Sequence, residues 1–253
     1  MAQADNVKEG NRLYDAGKYQ EAMVYFMKPD AVKKPLVMNR IGYMYSKGRG
    51  VEANPEQACQ WYRKAAEAGL AAAQFNLGLM YEHGRGVSKD INVAAQWYIK
   101  AAEQNNADAQ MKMGYLSVKG LGVKQDYQEA MKWYRRAAEQ GDKGAYVDIG
   151  ILYARGQGVK KDLNRAVQYY IMGAQRGESQ AQSLLGTAYI LGKGITQDTE
   201  MALFWYKKAA ENGSIEAMKE LGAIYAKGRF GVKQDLQEAR RWNDMAEKAA
   251  QTQ

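Results

Sequence analysis

Residues 73–105 read AQFNLGLMYEHGRGVSKDINVAAQWYIKAAEQN, and this stretch predicts two short helices joined by a glycine turn. Ala73, Leu77 and Tyr81 fall at helical spacing and form one apolar stripe. Two closely spaced glycines follow that stripe and end the first helix. Asp90 then supplies the kind of side chain that favours the N-cap of the second helix.

The same pattern recurs along the chain with a period of 36 residues. Each first helix carries one glycine, at Gly42, Gly78, Gly114, Gly150, Gly186 and Gly222. Each second helix carries an aromatic residue in one repeated column, at Trp61, Trp97, Trp133, Tyr169, Trp205 and Trp242. The last aromatic interval is 37 residues because Phe230 is inserted in the sixth glycine pair. Such a period indicates a solenoid in which every helix pair packs on its neighbours.

A further column of the repeat predicts where the second helices end. It holds only glycine and asparagine, at Gly69, Asn105, Gly141, Gly177 and Gly213. These two residue types best tolerate the left-handed conformation that ends many helices. The column and the glycine turns together explain why the chain has 26 Gly but only 3 Pro.

The composition excludes several kinds of site. With 253 residues, 46% of them hydrophobic, the chain is able to form a core and is not a disordered protein. One cysteine excludes an intramolecular disulfide and a thiolate metal cage, and one histidine excludes a histidine-cluster metal site. No apolar run approaches the roughly 20 residues that cross a bilayer. We therefore expect no cofactor, no bound metal and no transmembrane segment.

These features predict an all-α fold, an α/α superhelical solenoid of about seven antiparallel helix pairs. Residues 1–35 keep the chemistry of the repeat but lose its spacing, so we expect a divergent N-terminal capping helix pair there. The rest of the chain is expected to form one continuous solenoid domain of six units, at residues 36–71, 72–107, 108–143, 144–179, 180–215 and 216–253.

As a consensus, the unit reads A-x-x-x-L-G-x-x-Y-x-x-G-x-G-V and then D-x-x-x-A-x-x-W-Y-x-K-A-A-x-x-G. This pattern closely resembles the Sel-one-like repeat (SLR) family, a relative of the tetratricopeptide repeats, over about residues 36–250. The resemblance implies an α/α superhelix that scaffolds protein–protein contacts. Members of that family recur in bacteria as adaptors, secreted host-interaction factors and periplasmic partners, including immunity proteins that neutralise toxic effectors.

Catalytic chemistry finds little support in the sequence. His83 is a candidate base or partner contact, but it lies at the end of a first helix, where the helix dipole favours histidine. Cys59 falls inside a second helix and is better explained as a packed thiol than as a reactive one. The glycine pairs follow helices and repeat six times, so turns explain them better than a dinucleotide-binding loop does. We therefore expect a protein that is not an enzyme.

The net charge of +8 and the pI near 9.3 suggest three kinds of partner, namely a nucleic acid, an acidic protein and an anionic membrane surface. Lys and Arg are spread through every unit, and no run of basic residues stands out. Solvated helix faces explain this spread better than a nucleic-acid site does.

The first helices line a concave groove in tetratricopeptide superhelices, and the resemblance implies the same arrangement here. The inward positions then lie three residues before the repeated glycine and one, four and five residues after it. In the first four units they supply the predicted partner-binding residues, Tyr43, Lys47, Phe75, Leu79, His83, Met111, Tyr115, Val118, Lys119, Val147, Ile151 and Arg155. Large apolar residues beside a mostly basic row suit a partner segment with apolar anchors and acidic flanks. The alternative is that tight curvature buries these residues between neighbouring first helices.

The sequence thus predicts a non-catalytic scaffold that binds another protein in a concave groove. Its most specific form is an inhibitory or immunity-type partner of a secreted bacterial effector, a toxic protein with an acidic or apolar exposed segment. The alternatives are a general adaptor in envelope or secretion pathways and a charge-driven binder of nucleic acid or membrane surfaces. The polar N-terminus fits a cytoplasmic protein or a periplasmic protein whose leader was removed, and a monomer is the expected state.

Overall fold

The structure, a computed structural model, describes residues 5–251 and shows fourteen α-helices and no strand in that range. The predicted all-α solenoid of repeated helix pairs is confirmed. Contacts between the helices divide the chain into two compact units, which we call unit 1 (Met1–Asp126) and unit 2 (Tyr127–Gln253). A single continuous domain remains a prediction.

Unit 1 begins with a short helix pair and continues with five helices of 13 residues. Its helices are α1 (Asn6–Asp15), α2 (Tyr19–Phe26), α3 (Pro35–Lys47), α4 (Pro55–Glu67), α5 (Ala71–His83), α6 (Ile91–Glu103) and α7 (Ala107–Lys119). Phe26 of α2 and Ile41 of α3 belong to one buried cluster, so the short first pair packs on the first full repeat.

Unit 2 contains the remaining seven described helices. They are α8 (Tyr127–Glu139), α9 (Lys143–Arg155), α10 (Leu163–Gln175), α11 (Ser179–Leu191), α12 (Thr199–Glu211), α13 (Ile215–Lys227) and α14 (Leu236–Gln251). A buried cluster joins Tyr206, Leu221 and Trp242 from three successive helices. Within residues 5–251 no helix combines the length and the apolar composition that crossing a membrane requires.

The helices start and stop where the repeat predicts. Six first helices end on a left-handed glycine, at Gly48, Gly84, Gly120, Gly156, Gly192 and Gly228. At the start of α6, the carboxylate of Asp90 accepts hydrogen bonds from the backbone N–H groups of Asn92 and Val93. Asn105 follows α6 with φ 62°, the left-handed conformation expected in its column.

The repeated glycine inside each first helix lets an aromatic ring of the next helix approach the backbone. A Cβ atom placed on Gly78 would lie 2.5 Å from Cε1 of Tyr98, which is fully buried. The same glycine–tyrosine contact recurs between Gly42 and Tyr62 and between Gly186 and Tyr206. The glycine is therefore required by packing between the two helices of a pair.

A buried glutamine fastens the start of a first helix to the end of the second helix before it. Gln74 donates its amide N–H to the carbonyl oxygen of Ala66 at 3.2 Å. Gln182 makes the equivalent bond to Ala174 at 3.1 Å. Both carbonyls lie near a helix C-terminus and also accept a backbone hydrogen bond, from Gly69 and Gly177 respectively, so the glutamine supplies a second donor. The same glutamine–carbonyl hydrogen bond is therefore found in unit 1 and in unit 2.

Candidate partner-binding surface

The predicted basic row occupies one structural position in both units. Lys47, His83, Lys119 and Arg155 are the last residues of α3, α5, α7 and α9, and all four are exposed. Each precedes a left-handed glycine, so its charge lies beside the negative end of the helix dipole. The row is therefore favoured by helix electrostatics and is also accessible to a partner.

A small cavity in unit 1 brings four of the predicted residues together. It has a volume of about 180 Å³, and its lining includes Tyr43, Lys47, Leu79 and His83. Arg85 adds a further cation, and no acidic side chain lines the cavity. This part of unit 1 is suited to an acidic group.

The other predicted residues of unit 1 lie outside that cavity. Phe75 is half-buried and packs on Tyr98, with 5.6 Å between the ring centroids. Met111 and Val118 are also half-buried. By contrast, 46% of the surface of Tyr115 is exposed. The Lys119 ammonium lies 6.0 Å from the Tyr115 ring centroid, which is a cation–π distance.

A partly buried polar cluster links three helices of unit 1. Glu82 of α5 accepts a hydrogen bond from the Tyr98 hydroxyl and another, at 2.9 Å, from the Lys112 ammonium of α7. Burial acts to raise the pKa of Glu82, but these two donors outweigh it and the pKa is lowered. Glu82 is thus held ionised, and its charge is neutralised by Lys112.

A larger cleft in unit 2 is formed by α9, α11 and α13. Its volume is about 540 Å³, and two predicted residues, Ile151 and Arg155, line it. Val147 does not, because only 2% of its surface is exposed and it packs in the core of unit 2. On the floor of the cleft the hydroxyl groups of Thr187 and Tyr206 lie 3.0 Å apart.

Several residues that line the cleft were missed by the sequence prediction. Leu184 and Glu220 lie two residues before the repeated glycine, in a column that was not assigned to the groove. That column reads Arg40, Asn76, Lys112, Asp148, Leu184 and Glu220. The residue type in this column changes from repeat to repeat. That variation was the available signal that the column lies on a recognition surface and not in the core.

The cleft holds charged groups that have no partner within the described part of the chain. Arg155 and Arg229 line it, as do Glu216 and Glu220. None of the four side chains forms an ion pair or a hydrogen bond with residues 5–251. Two large apolar residues, Leu191 and Phe230, also line it and are 45% and 41% exposed.

The two residues weighed for catalysis differ in exposure. Cys59 is 3% exposed, and burial raises the pKa of its thiol, which disfavours the reactive thiolate. His83 is exposed at the end of α5. Among residues 5–251 no group of three potential metal-ligating side chains is found.

Six segments of the chain match the Sel1 repeat, at residues 35–70, 71–106, 107–142, 144–178, 179–214 and 215–250. A solved Sel1 repeat protein from Oxalobacter formigenes is 67% identical to the chain, with a TM-score of 0.87. That match covers 96% of this chain and 99% of the other. No curated protein matches the chain.

Two further solved structures are similar to the chain. The protein c5321, a protective antigen present in uropathogenic Escherichia coli strains that displays an SLR fold, is 32% identical with a TM-score of 0.85. The match covers 96% of this chain and 53% of c5321. The immunity protein PA5088 from Pseudomonas aeruginosa is 19% identical with a TM-score of 0.55, over 99% of this chain and 84% of the other. This last likeness is one of fold.

Proposed function

The chain belongs to the Sel1 repeat family, and on this premise we propose that it is a non-catalytic scaffold that binds another protein through exposed faces of its first helices. The observation that carries the proposal is the exposure of large side chains at positions that differ between repeats. Tyr115 is 46% exposed and Leu191 is 45% exposed. The repeated glycines of the first helices and the tyrosines that pack on them are buried, whereas these variable residues are available to a partner.

Binding alone is enough for such a scaffold to act. A partner held against the first helices has part of its own surface covered, which either blocks that surface or tethers the partner. The accessible charges at the helix ends, such as Lys119 and Arg155, favour a partner with acidic groups. Beside Lys119, the exposed Tyr115 ring supplies apolar area that makes the contact specific.

The most specific form of the proposal is an immunity-type partner of a secreted effector. Two immunity proteins of Pseudomonas aeruginosa, Pa5087 and PA5088, share the fold at 21% and 19% identity. That likeness supports the fold and leaves the toxic effector as a proposal. A general adaptor in envelope or secretion pathways is the second candidate, because the same exposed faces serve either role.

Charge substitutions on the first helices test the scaffold directly. The affinity-tagged chain is used to capture partners from the lysate of its own host, and the captured proteins are identified by mass spectrometry. We expect Tyr115→Glu and Ile151→Glu to abolish capture of the partner, because each places an unpaired charge where an apolar side chain is needed. The melting temperature should stay within a few degrees of the parent for the exposed Tyr115 site.

A matched control is available on another helix. Val24 of α2 is 60% exposed and lies outside the first-helix residues named above. Val24→Glu should leave capture unchanged. The scaffold proposal is wrong if all three variants capture the partner equally well. A large loss of stability in Tyr115→Glu would instead show that this residue belongs to the core.

A further inference from the structure

The sixth repeat departs from the 36-residue spacing at one residue, Phe230. That residue lines the cleft of unit 2. Its backbone is left-handed, with φ 58°. This conformation is strained for a bulky residue, and strain of this kind is retained where surroundings or function hold it. Among residues 5–251 the other non-glycine residue with positive φ is Asn105, and asparagine tolerates the conformation.

The insertion changes how the glycine turn packs. In the preceding repeat the second turn glycine, Gly194, lies against the carbonyl group of Leu163 at the start of α10. In the sixth unit a Cβ atom on Gly231 would meet no atom within 4 Å. The contact is made instead by Phe230, whose carbonyl oxygen accepts a hydrogen bond from the Thr199 hydroxyl at 3.0 Å. This bond holds the backbone of Phe230 while its ring stays 41% exposed.

The charges in the cleft are separated along α13. Glu216 and Glu220 lie in the first half of that helix, and Arg229 is the second residue after its end at Lys227. Glu220 and Lys227 are seven residues apart, which corresponds to about 10 Å along the helix axis, and Arg229 lies beyond that end. Arg155, at the end of α9, lies on the same side of the repeat as Arg229 because the two helices are equivalent elements of the repeat. Leu191, the last residue of α11, and Phe230, next to Arg229, lie at that same end. The cleft therefore has an acidic end and an opposite end that is both basic and apolar.

We infer that this cleft binds an extended segment of a protein partner that carries an acidic residue and apolar side chains near one end and a basic residue near the other, and that Phe230 determines its specificity. The inference rests on the proposed scaffold function and assigns the site within it. The partner's carboxylate lies against the two arginines, and its basic residue lies against the two glutamates. The apolar side chains lie beside the carboxylate, against Leu191 and Phe230. A separation of about 10 Å corresponds to roughly three residues of extended chain.

A library of random linear 12-residue peptides displayed on phage is the probe. The library is selected on the full chain, and the peptides recovered are synthesised with a fluorescent label and titrated by fluorescence anisotropy. We expect a consensus with an acidic residue, two large apolar residues and a basic residue within about six positions. Replacing the peptide's acidic residue by lysine should restore binding to Arg155→Glu and weaken binding to the parent chain, because the charge pair is then reversed.

Three variants locate the site. Phe230→Ala should lower the affinity for the selected peptides by about tenfold or more, as for an anchor residue at an interface. Deletion of Phe230 restores the 36-residue spacing and should weaken binding similarly without lowering the melting temperature. Phe204, which is 47% exposed on α12, provides the matched control, and Phe204→Ala should change binding less than about twofold.

Three results would overturn the inference. The first is that no peptide binds more tightly than about 100 μM. The second is that the consensus of the selected peptides lacks the acidic and basic residues. The third is that Phe230→Ala and Phe204→Ala change peptide affinity by the same factor. If any of these occurs while Tyr115→Glu still abolishes capture of a partner, the scaffold function stands and the assignment to this cleft is wrong. If neither peptides nor partners bind, both proposals are wrong.

Discussion

The repeated glycine and the tyrosine that packs on it act as one pair. Gly78→Ala would place a methyl group against the Tyr98 ring, which is fully buried and hydrogen-bonded to Glu82. Overpacking of this kind typically costs about 1–3 kcal/mol, and the better helix propensity of alanine recovers only about 1 kcal/mol. We expect Gly78→Ala to lower the melting temperature measured by circular dichroism.

The sixth repeat supplies the control for that substitution. A Cβ atom on Gly222 would meet the side-chain tip of Asn243, which is exposed and free to rotate away. Gly222→Ala should therefore leave the melting temperature unchanged or raise it. A loss as large as that of Gly78→Ala would contradict the steric explanation and would point to a backbone requirement for glycine.

Asp148 gives the protein a pH-dependent stability. Burial, with a contribution from Asp142, raises its pKa to about 6. The folded state therefore holds this proton more tightly than the unfolded state, where the pKa is about 3.9. Its contribution to stability is complete below about pH 4 and is lost as the pH rises through 6. Asp148→Asn should stabilise the fold at pH 7–8, by at most about 3 kcal/mol, with no gain below pH 4. Thermal melts of both proteins from pH 3.5 to 8 measure this, and a constant difference across the range would contradict it.

At the scale of the helices, the buried glutamine joins three elements. Gln182 of α11 donates to the Ala174 carbonyl of α10 and accepts a hydrogen bond from Asn212, which follows α12, at 2.9 Å. Gln182→Met keeps much of the volume and removes both bonds, so we expect a loss of about 1–3 kcal/mol in the free energy of unfolding by urea. Met218 fills the same column in the next repeat, and Met218→Leu should cost less than about 1.5 kcal/mol. An equal loss for the two substitutions would show that packing, and not the hydrogen bonds, carries the effect.

The elements themselves were predictable because each helix is specified by residues close together in sequence. The N-cap at Asp90 and the left-handed Asn105 follow from local backbone chemistry, and both were predicted correctly. The surface was harder to predict, because exposure depends on how neighbouring helices pack. Spacing placed Val147 on the groove, although it is buried, and it left out Leu184, which lines the unit 2 cleft. The position of Phe230 at the cleft was not predictable either, because the repeat spacing reveals an insertion but not where the inserted side chain lies.

At the scale of the whole chain, the net charge of +8 is compatible both with a scaffold for an acidic protein and with a nucleic-acid binder. Several cations already have partners, since Lys208 pairs with Glu211 at 3.1 Å and the ammonium groups of Lys64 and Lys100 lie over the Trp61 and Trp97 rings. Lys64, Lys100 and Lys208 occupy one column of the repeat, so the deciding test has to separate charge from apolar contact.

Salt dependence therefore distinguishes the two functions. A protein that contacts 6–10 phosphates loses about 10³–10⁵ in affinity between 50 and 200 mM salt, because bound counterions are released. A contact that depends on apolar side chains such as Tyr115 and Ile151 should weaken by less than about tenfold over the same range, since only its flanking charges are screened. The measurement is titration of the captured partner and of a 20-base-pair DNA duplex at both salt concentrations. Tight DNA binding that falls steeply with salt, together with partner binding that falls in parallel, would show that charge and not the apolar surface drives association.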